Sequence, residues 1–369
     1  MVIRMVQIKV TILNYINKYG DFTFSEKEFN EVDNIIFSIL TYIDFNDVVE
    51  KGLDKKITIF DAIDLYFSLH KKKYDKNDIY ARKKAIKVLE AIKNKKRYKD
   101  LYLYNYIYIG DENHQFCAIT VEVNIDLIFI SFGGTDSLIS GWEEDARMTY
   151  LFPVEAQVKA INYLNEYSKT KEKIIVGGHS KGGNLALVSS MYCTSSIKKR
   201  IIRIYNNDGP GLKLEQIESQ EYKSICQKLV HLVPNYSVVG LLLINEKYIT
   251  IKSSKKSILA HNFMTWKVKD DTFERTELSK FSLILSRSIS NWMEKYDNTV
   301  RKNFFTTLFD ICRDIELKDL GEMKKNKLLF IKLIKSAKKI NPEVKEIAKD
   351  LILMINKCNK EYKKEVGVK

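Results

Sequence analysis

The order of hydrophobic and polar positions divides the chain into three regions. In residues 1–98, apolar residues recur at helical spacing, most clearly at Phe29, Val32, Ile35, Ile36 and Leu40. Two further segments, at about 58–72 and from about residue 78 to the basic run at 94–97, show the same period. We predict amphipathic helices that pack on a central core, with the basic run as a solvated helix end.

Beyond residue 98 the pattern changes to that of strands. The runs LYLYNYIYIGD, QFCAITVEV and DLIFISFGG predict three successive strands, and further apolar runs follow at 173–176, 200–206, 229–233, 248–252 and 265–268. The helical segment 154–169 suits a crossover connection between parallel strands. We therefore predict an α/β fold with a mostly parallel sheet over residues 99–277 and, because residues 278–369 are helical and lysine-rich, a C-terminal helical appendage.

One stretch of the predicted sheet combines a strand, a glycine-flanked turn and a helix. The strand residues 174–176 are followed by Gly178-x-Ser180-x-Gly182 and then by an apolar helical period. This order is typical of a nucleophile elbow, in which small neighbours let a strained serine expose its hydroxyl above the sheet. Ser180 is the candidate nucleophile. The alternatives are a glycine-rich turn without chemistry and an anion site at the helix N-terminus.

A serine nucleophile needs a general base and a carboxylate that orients it. Of the five histidines, His261 lies in a short loop after the nucleophile in chain order and is the candidate base. Asp208 ends the strand after the elbow helix, at the sheet edge where parallel strands bring their carboxyl ends together. Its alternative is an ordinary turn-forming aspartate, with Asp136 and Asp145 as other candidate acids.

The tetrahedral intermediate of such a reaction needs oxyanion donors. We predict the backbone N–H of Lys181 as one donor and the turn at Gly134 and Thr135 as the other, with the Thr135 hydroxyl as an additional donor. The alternative for that turn is a plain tight turn. Residues 141–152 are predicted to form a loop or lid, in which Trp142 and Met148 contact the substrate unless they belong to the core.

Composition narrows the function without deciding it. The chain of 369 residues has 61 basic and 47 acidic residues, a net charge of +14, but the lysines are scattered and no nucleic-acid-binding motif is present. The five cysteines are widely spaced, as expected of free thiols in a reducing compartment. We expect a cytoplasmic protein without stable membrane insertion, without a nucleic-acid partner, and with neither cofactor nor metal ion.

The motifs resemble those of two related families. Residues 130–136, residues 177–183 and Val233-Pro234 are similar to the class 3 (fungal-type) lipases, and the resemblance to a bacterial lipase-like family of unknown function is closer, covering roughly residues 10–310. It implies an α/β-hydrolase fold and an oxyanion threonine or serine in the G-T turn. In class 3 lipases the acid stands in a segment like N-x-D-x-V, where this chain has Ser237. Either Asp208 is the acid, as in pancreatic-type lipases, or the enzyme is weak or inactive.

These observations together predict a serine hydrolase of the lipase or esterase type acting on a small-molecule or lipid acyl ester. The alternatives are an inactive relative that serves as a binding or regulatory module, and an acyltransferase or peptidase with the same catalytic groups. A protein partner for the C-terminal helices stays open. If the enzyme hypothesis is right, the His261 imidazole should approach both the Ser180 hydroxyl and a carboxylate.

Overall fold

An eight-stranded sheet forms the centre of the molecule. The computed structural model describes residues 10–70, 80–110, 115–135, 139–315, 317 and 341–365. The strands lie in the sheet in chain order. They are β1 (Ile57–Thr58), β2 (Tyr102–Gly110), β3 (Gln115–Asn124), β4 (Leu127–Phe132), β5 (Lys173–His179), β6 (Ile201–Asn207), β7 (Leu229–Pro234) and β8 (Ile249–Ile251).

The type of strand pairing changes once across this sheet, at β4. The strands from β1 to β4 pair antiparallel, and those from β4 to β8 pair parallel, so that four of the seven pairings are parallel. The parallel part carries helices on both faces and brings the carboxyl ends of β4, β5, β6 and β7 to one edge. The predicted α/β-hydrolase fold with a mostly parallel sheet is confirmed.

The helices of the described part divide into those that flank the sheet and those that follow it. The flanking helices are α1 (Ile12–Tyr19), α2 (Glu31–Ser38), α3 (Ile59–Leu69), α4 (Tyr80–Ile92), α5 (Ile139–Arg147), α6 (Glu155–Asn165), α7 (Lys181–Tyr192), α8 (Ser195–Arg200), α9 (Leu214–Ile217) and α10 (Gln220–Lys223). The following helices are α11 (Lys280–Lys295), α12 (Asn298–Asp314) and α13 (Pro342–Glu365).

Two apolar layers lie on opposite faces of the sheet, because successive side chains of a strand point to opposite faces. Phe129 and Ile175 face the layer that contains the N-terminal helices, whereas Ile130 and Val176 face the layer with α6 and α7. Because both faces of the sheet are covered, β4 is apolar at nearly every position. The N-terminal helices are therefore part of the core of the sheet domain.

Three details of the fold differ from the sequence predictions. Residues 265–268 do not join the central sheet, because Phe263–Thr265 is a 3₁₀ turn and Val268–Lys269 pairs with Thr272–Phe273 in a separate hairpin. All eight residues of α2 are buried, so this helix has no solvent face. The segment predicted as a loop or lid is the helix α5 for its first half.

The basic run at 94–97 also differs from the prediction, because Arg97 is not solvated. Its guanidinium is fully buried in an ion pair with Asp33 (Nη2–Oδ2, 2.5 Å), and it donates to carbonyl groups of residues 22–28, including that of Lys27 at 2.8 Å. A buried pair of this kind is stable only when its remaining hydrogen-bonding groups are satisfied. Arg97 thereby fastens the connection between α1 and α2.

The C-terminal helices pack on one another and on α5. The Trp292 indole N–H of α11 donates to the Ile347 carbonyl of α13 at 3.1 Å, and Arg313 of α12 pairs with Glu143 of α5 at 2.6 Å. None of the described helices is long and apolar enough to cross a membrane. All five cysteines are free thiols, as predicted.

Candidate active site

The turn after β5 has the backbone geometry of a nucleophile elbow. Ser180 has φ 60° and ψ −132°, a conformation that non-glycine residues rarely adopt, and α7 begins at the next residue. A Cβ atom at Gly178 would lie 2.3 Å from the backbone of Gly182, and one at Gly182 would lie 2.0 Å from the Phe132 carbonyl oxygen. Only glycine fits at both positions, which is the physical reason for the G-x-S-x-G spacing.

The loop after β6 brings Asp208 beneath His261. The Asp208 carboxylate is fully buried, and its Oδ2 lies 2.7 Å from the Nδ1 atom of His261. Its other oxygen, Oδ1, accepts hydrogen bonds from the Ser237 hydroxyl and from the Gly240 N–H, the latter at 3.1 Å. A Cβ atom at Gly240 would lie 2.3 Å from Oδ1, so glycine is required for this approach.

Ser237, which stands where class 3 lipases have their acid, has a defined place in this arrangement. Its hydroxyl donates to Asp208 and accepts the Gly240 N–H at 3.0 Å. The serine therefore contributes to holding the Asp208 carboxylate instead of replacing it.

His179, the residue before Ser180, holds the backbone of His261. Its Nε2 lies 2.9 Å from the His261 carbonyl oxygen, and its Nδ1 lies 2.7 Å from the Tyr42 hydroxyl. A carbonyl only accepts, so Nε2 carries the proton and Nδ1 accepts from Tyr42. Burial lowers the pKa of His179 well below its ordinary value, which keeps the ring neutral. The rings of His179 and His261 pack with centroids 4.5 Å apart.

Ser180, Asp208 and His261 lie at the same edge of the sheet. The Ser180 N–H donates to the carbonyl of Asn207, the residue before Asp208, at 3.0 Å. Within the described residues, neither the Ser180 hydroxyl nor the Nε2 atom of His261 makes a hydrogen bond, so the structure joins the histidine to the carboxylate but not to the serine. In unliganded enzymes such contacts often tighten only when substrate binds.

The predicted oxyanion residues flank the elbow on the side of β4. Lys181 is the first residue of α7, and its backbone N–H therefore has no acceptor within the helix. Its side chain is buried, and Nζ binds the Glu144 carboxylate and the Gln115 carbonyl, both at 2.9 Å. Thr135 follows β4, and Gly134 beside it lies close to the His179 carbonyl.

The Thr135 hydroxyl, predicted as an additional oxyanion donor, already makes a hydrogen bond within the protein. It donates to Asp145 Oδ2 at 2.6 Å, and a hydroxyl has only one hydrogen to give. Burial raises the pKa of the Asp145 carboxyl to about 6, and its Oδ1 atom is buried without a hydrogen-bond partner. Asp136, the other candidate acid in this region, lies outside the described residues.

Three consecutive acids of α5 thus reach three different parts of the molecule. Glu143 pairs with Arg313 of α12, Glu144 pairs with the buried Nζ of Lys181 on the elbow helix, and Asp145 accepts from Thr135 on the oxyanion turn. The sequence GWEEDARM gave no signal for these partners. They follow from the position of α5 between the sheet edge and the C-terminal helices.

A cavity of about 320 Å³ opens above Ser180. One wall belongs to the sheet domain and includes Trp142, Asp145, Met148 and Ser180. The opposite wall consists of apolar side chains of the C-terminal helices, namely Ile289, Trp292, Met293, Phe304, Phe305, Phe309 and Leu351. Trp142 and Met148 lie where the sequence prediction places substrate contacts, whereas Gly134 lies outside the lining of this cavity.

The chain can be compared with known proteins on this basis. Residues 92–310, more than half of the chain, match the Mbeg1-like family, which is lipase-like. The chain belongs to the Mbeg1-like family. The predicted membership of a lipase-like family of uncertain function is thereby confirmed. The crystal structure of M37 lipase is similar over 56% of this chain and 68% of that chain, with 13% sequence identity and a TM-score of 0.33. No curated protein matches the chain.

The part of this Mbeg1-like chain that sequence reasoning missed is the apolar wall opposite Ser180. Its residues recur at helical spacing in α11, α12 and α13, which predicts burial but not the surface they bury against. Leu351 belongs to α13, beyond the residues that match the family. The described residues contain no cluster of side chains suited to a metal ion.

Proposed function

We propose that this protein is a serine hydrolase of the lipase or esterase type, in which Ser180 is the nucleophile, His261 the base and Asp208 the orienting acid. The observation that carries the proposal is the 2.7 Å contact between the buried Asp208 carboxylate and His261 beside a strained elbow serine. Such strain persists only where the surrounding structure enforces it, and it concentrates at active sites. Membership of a lipase-like family supports the same reaction class.

The proposed reaction follows from the roles of these groups. The Ser180 oxygen attacks the ester carbonyl carbon while His261 Nε2 accepts the serine proton, and the carbonyl oxygen becomes an oxyanion facing the Lys181 N–H. Collapse breaks the bond to the alcohol oxygen, which takes the proton from His261. Water then repeats the sequence on the acyl-enzyme and releases the acid. Asp208 holds Nδ1 protonated throughout, so that Nε2 is the free acceptor.

An acyl ester is the substrate class that suits the cavity. Its lining beyond Ser180, Lys181 and Asp145 is almost entirely apolar, including the aromatic side chains of Trp292 and Phe305. Apolar lining with few polar groups at one end favours a ligand with one polar reacting centre and an apolar chain. The missing hydrogen bond between Ser180 and His261 favours a second candidate, an inactive relative that binds a similar ligand without cleaving it.

Covalent labelling distinguishes the two candidates. We expect a fluorophosphonate probe to add to Ser180, which intact-mass and peptide mass spectrometry would detect as one adduct per chain. Ser180→Ala should abolish the adduct, and Ser190→Ala, which changes a buried serine of α7, should leave it. If correctly folded protein remained unlabelled at Ser180, the enzyme proposal would be wrong and the binding module would be preferred.

A further inference from the structure

Leu243 occupies an unusual position between the cavity above Ser180 and the outer surface. It lines that cavity of about 320 Å³ and also two outer grooves of about 500 Å³ and 350 Å³ beside α11, which share Ser290 of that helix. Among the described residues, Leu243 alone lines all three spaces. Leu243 therefore stands as a partition between the inner cavity and both grooves, and Met293 is shared by the inner cavity and the smaller groove.

The backbone at Leu243 is held in an unfavourable conformation. Its φ of 62° lies in the left-handed region, which a bulky leucine rarely adopts. The residues on either side are clamped to the loop after β6: the Gly211 N–H donates to the Leu242 carbonyl at 2.9 Å, and Ile244 exchanges two hydrogen bonds with Leu212 at 2.8 and 3.0 Å. Strain that is over-determined in this way clusters at active sites and at segments that hold a ligand.

We infer that Leu243 sets the length of the acyl chain that the cavity accepts, by closing the cavity against the grooves beside α11. This inference rests on the proposed function and names its substrate class, an ester of a medium-length fatty acid. If each methylene takes about 30 Å³, the volume of a water molecule in the liquid, the cavity holds on the order of ten carbon atoms. Longer chains are excluded because Leu243 stands between them and the groove.

The two grooves offer room for a longer chain once the partition is removed. The larger groove is lined by Leu241, Leu278 and Leu283 together with the Arg287–Glu365 ion pair. A chain that passed the position of Leu243 would bury its additional methylenes there. Each newly buried methylene strengthens binding about fourfold.

The test compares chain-length profiles of p-nitrophenyl esters. In the wild type we expect kcat/KM to peak near C8 to C10 and to fall about 10-fold by C14. Leu243→Ala should raise the ratio of C14 to C8 activity by about 10-fold or more, and Leu243→Phe should keep or lower it. The matched control is Leu283→Ala, which enlarges the larger groove without opening it to the inner cavity and should overlay the wild type.

A binding measurement separates failure of this inference from failure of the proposed function. Ser180→Ala protein, alone and combined with Leu243→Ala, is titrated with free fatty acids from C6 to C16, and the rise in Tm is recorded. The chain length of the longest fatty acid that raises Tm should be greater in the double variant than in Ser180→Ala alone. If the longest fatty acid bound were the same in folded proteins with and without Leu243→Ala, the inference about Leu243 would be wrong. If that limit shifted but Ser180 were not labelled by the fluorophosphonate, the hydrolase proposal would be wrong and the role of Leu243 as a partition would stand.

Discussion

The two walls of the Ser180 cavity are built in different ways. The sheet-domain wall contains the strained elbow, a buried carboxylate with three hydrogen-bonding partners and a buried lysine–glutamate pair. The C-terminal wall is apolar, and its helices expose further apolar side chains, among them Leu308, Ile352 and Leu353. Under the proposed function, the sheet domain would supply the reacting groups and the C-terminal helices would select the substrate.

The sheet-domain wall should affect every substrate equally. We expect Asp208→Asn to lower kcat by about 10³- to 10⁴-fold for short and long esters alike, since the amide no longer holds His261 in the required tautomer. Steady-state kinetics on C2 and C8 esters would measure the loss. Ser237→Ala removes only one hydrogen bond to the same carboxylate and should therefore lower kcat less than Asp208→Asn does. Near-normal turnover of folded Asp208→Asn would assign the acid elsewhere.

The C-terminal wall should affect only substrates that reach it. Phe305→Ala removes an aromatic side chain from the cavity lining, and we expect kcat/KM for a C8 ester to fall about 10- to 100-fold while a C2 ester is unaffected. The control is Phe281→Ala, whose side chain is 43% exposed on α11 and does not line the cavity. Equal losses for C2 and C8 esters would contradict the division of roles between the walls.

The last prediction concerns stability and not rate, and it tests Asp145 of the sheet-domain wall. Burial raises its pKa to about 6 from an ordinary 3.8, so between about pH 4 and pH 6 the folded protein binds more protons than the unfolded chain and loses stability as pH rises. The Asp145→Asn side chain does not titrate, so the free energy of unfolding of the variant should rise relative to that of the wild type across this window. Above pH 6 the difference between the two proteins should have grown by on the order of 1–3 kcal/mol.

Urea unfolding at pH 4, 5, 6 and 7 would measure this difference. Asp100→Asn, at a carboxylate 75% exposed, is the control and should parallel the wild type at every pH. A difference that does not grow between pH 4 and pH 6 would show that the native Asp145 carboxyl is not held in its neutral form.

The sequence predicted most of the sheet domain because its signals are local. A β-branched run before G-x-S-x-G and a helical period after it specify the elbow without reference to the rest of the chain. The pairing of Asp208 with His261 could be anticipated from chain order and the sheet edge, although their catalytic role stays a prediction. The role of Ser237 could not, because it depends on a turn that brings it to a carboxylate 29 residues away.

The C-terminal wall was beyond prediction for a different reason. Apolar periodicity in α11 and α12 predicts that one face of each helix is buried. It does not predict which surface of the molecule covers that face. The left-handed backbone of Leu243 likewise has no signature, since glycine or asparagine is the usual residue for such a conformation. Arg97 was misjudged because its buried partner, Asp33, is distant in the sequence.

The three successive acids of α5 make the two walls mechanically dependent on one another. Glu143 is tied to the covering helices, Glu144 to the helix behind the nucleophile and Asp145 to the turn that would receive the developing negative charge. If displacement of the covering helices to admit a substrate tilted this nine-residue helix, it would shift both sets of contacts beside Ser180. The movement that admits a ligand would then also rearrange the groups around Ser180 that take part in the proposed reaction.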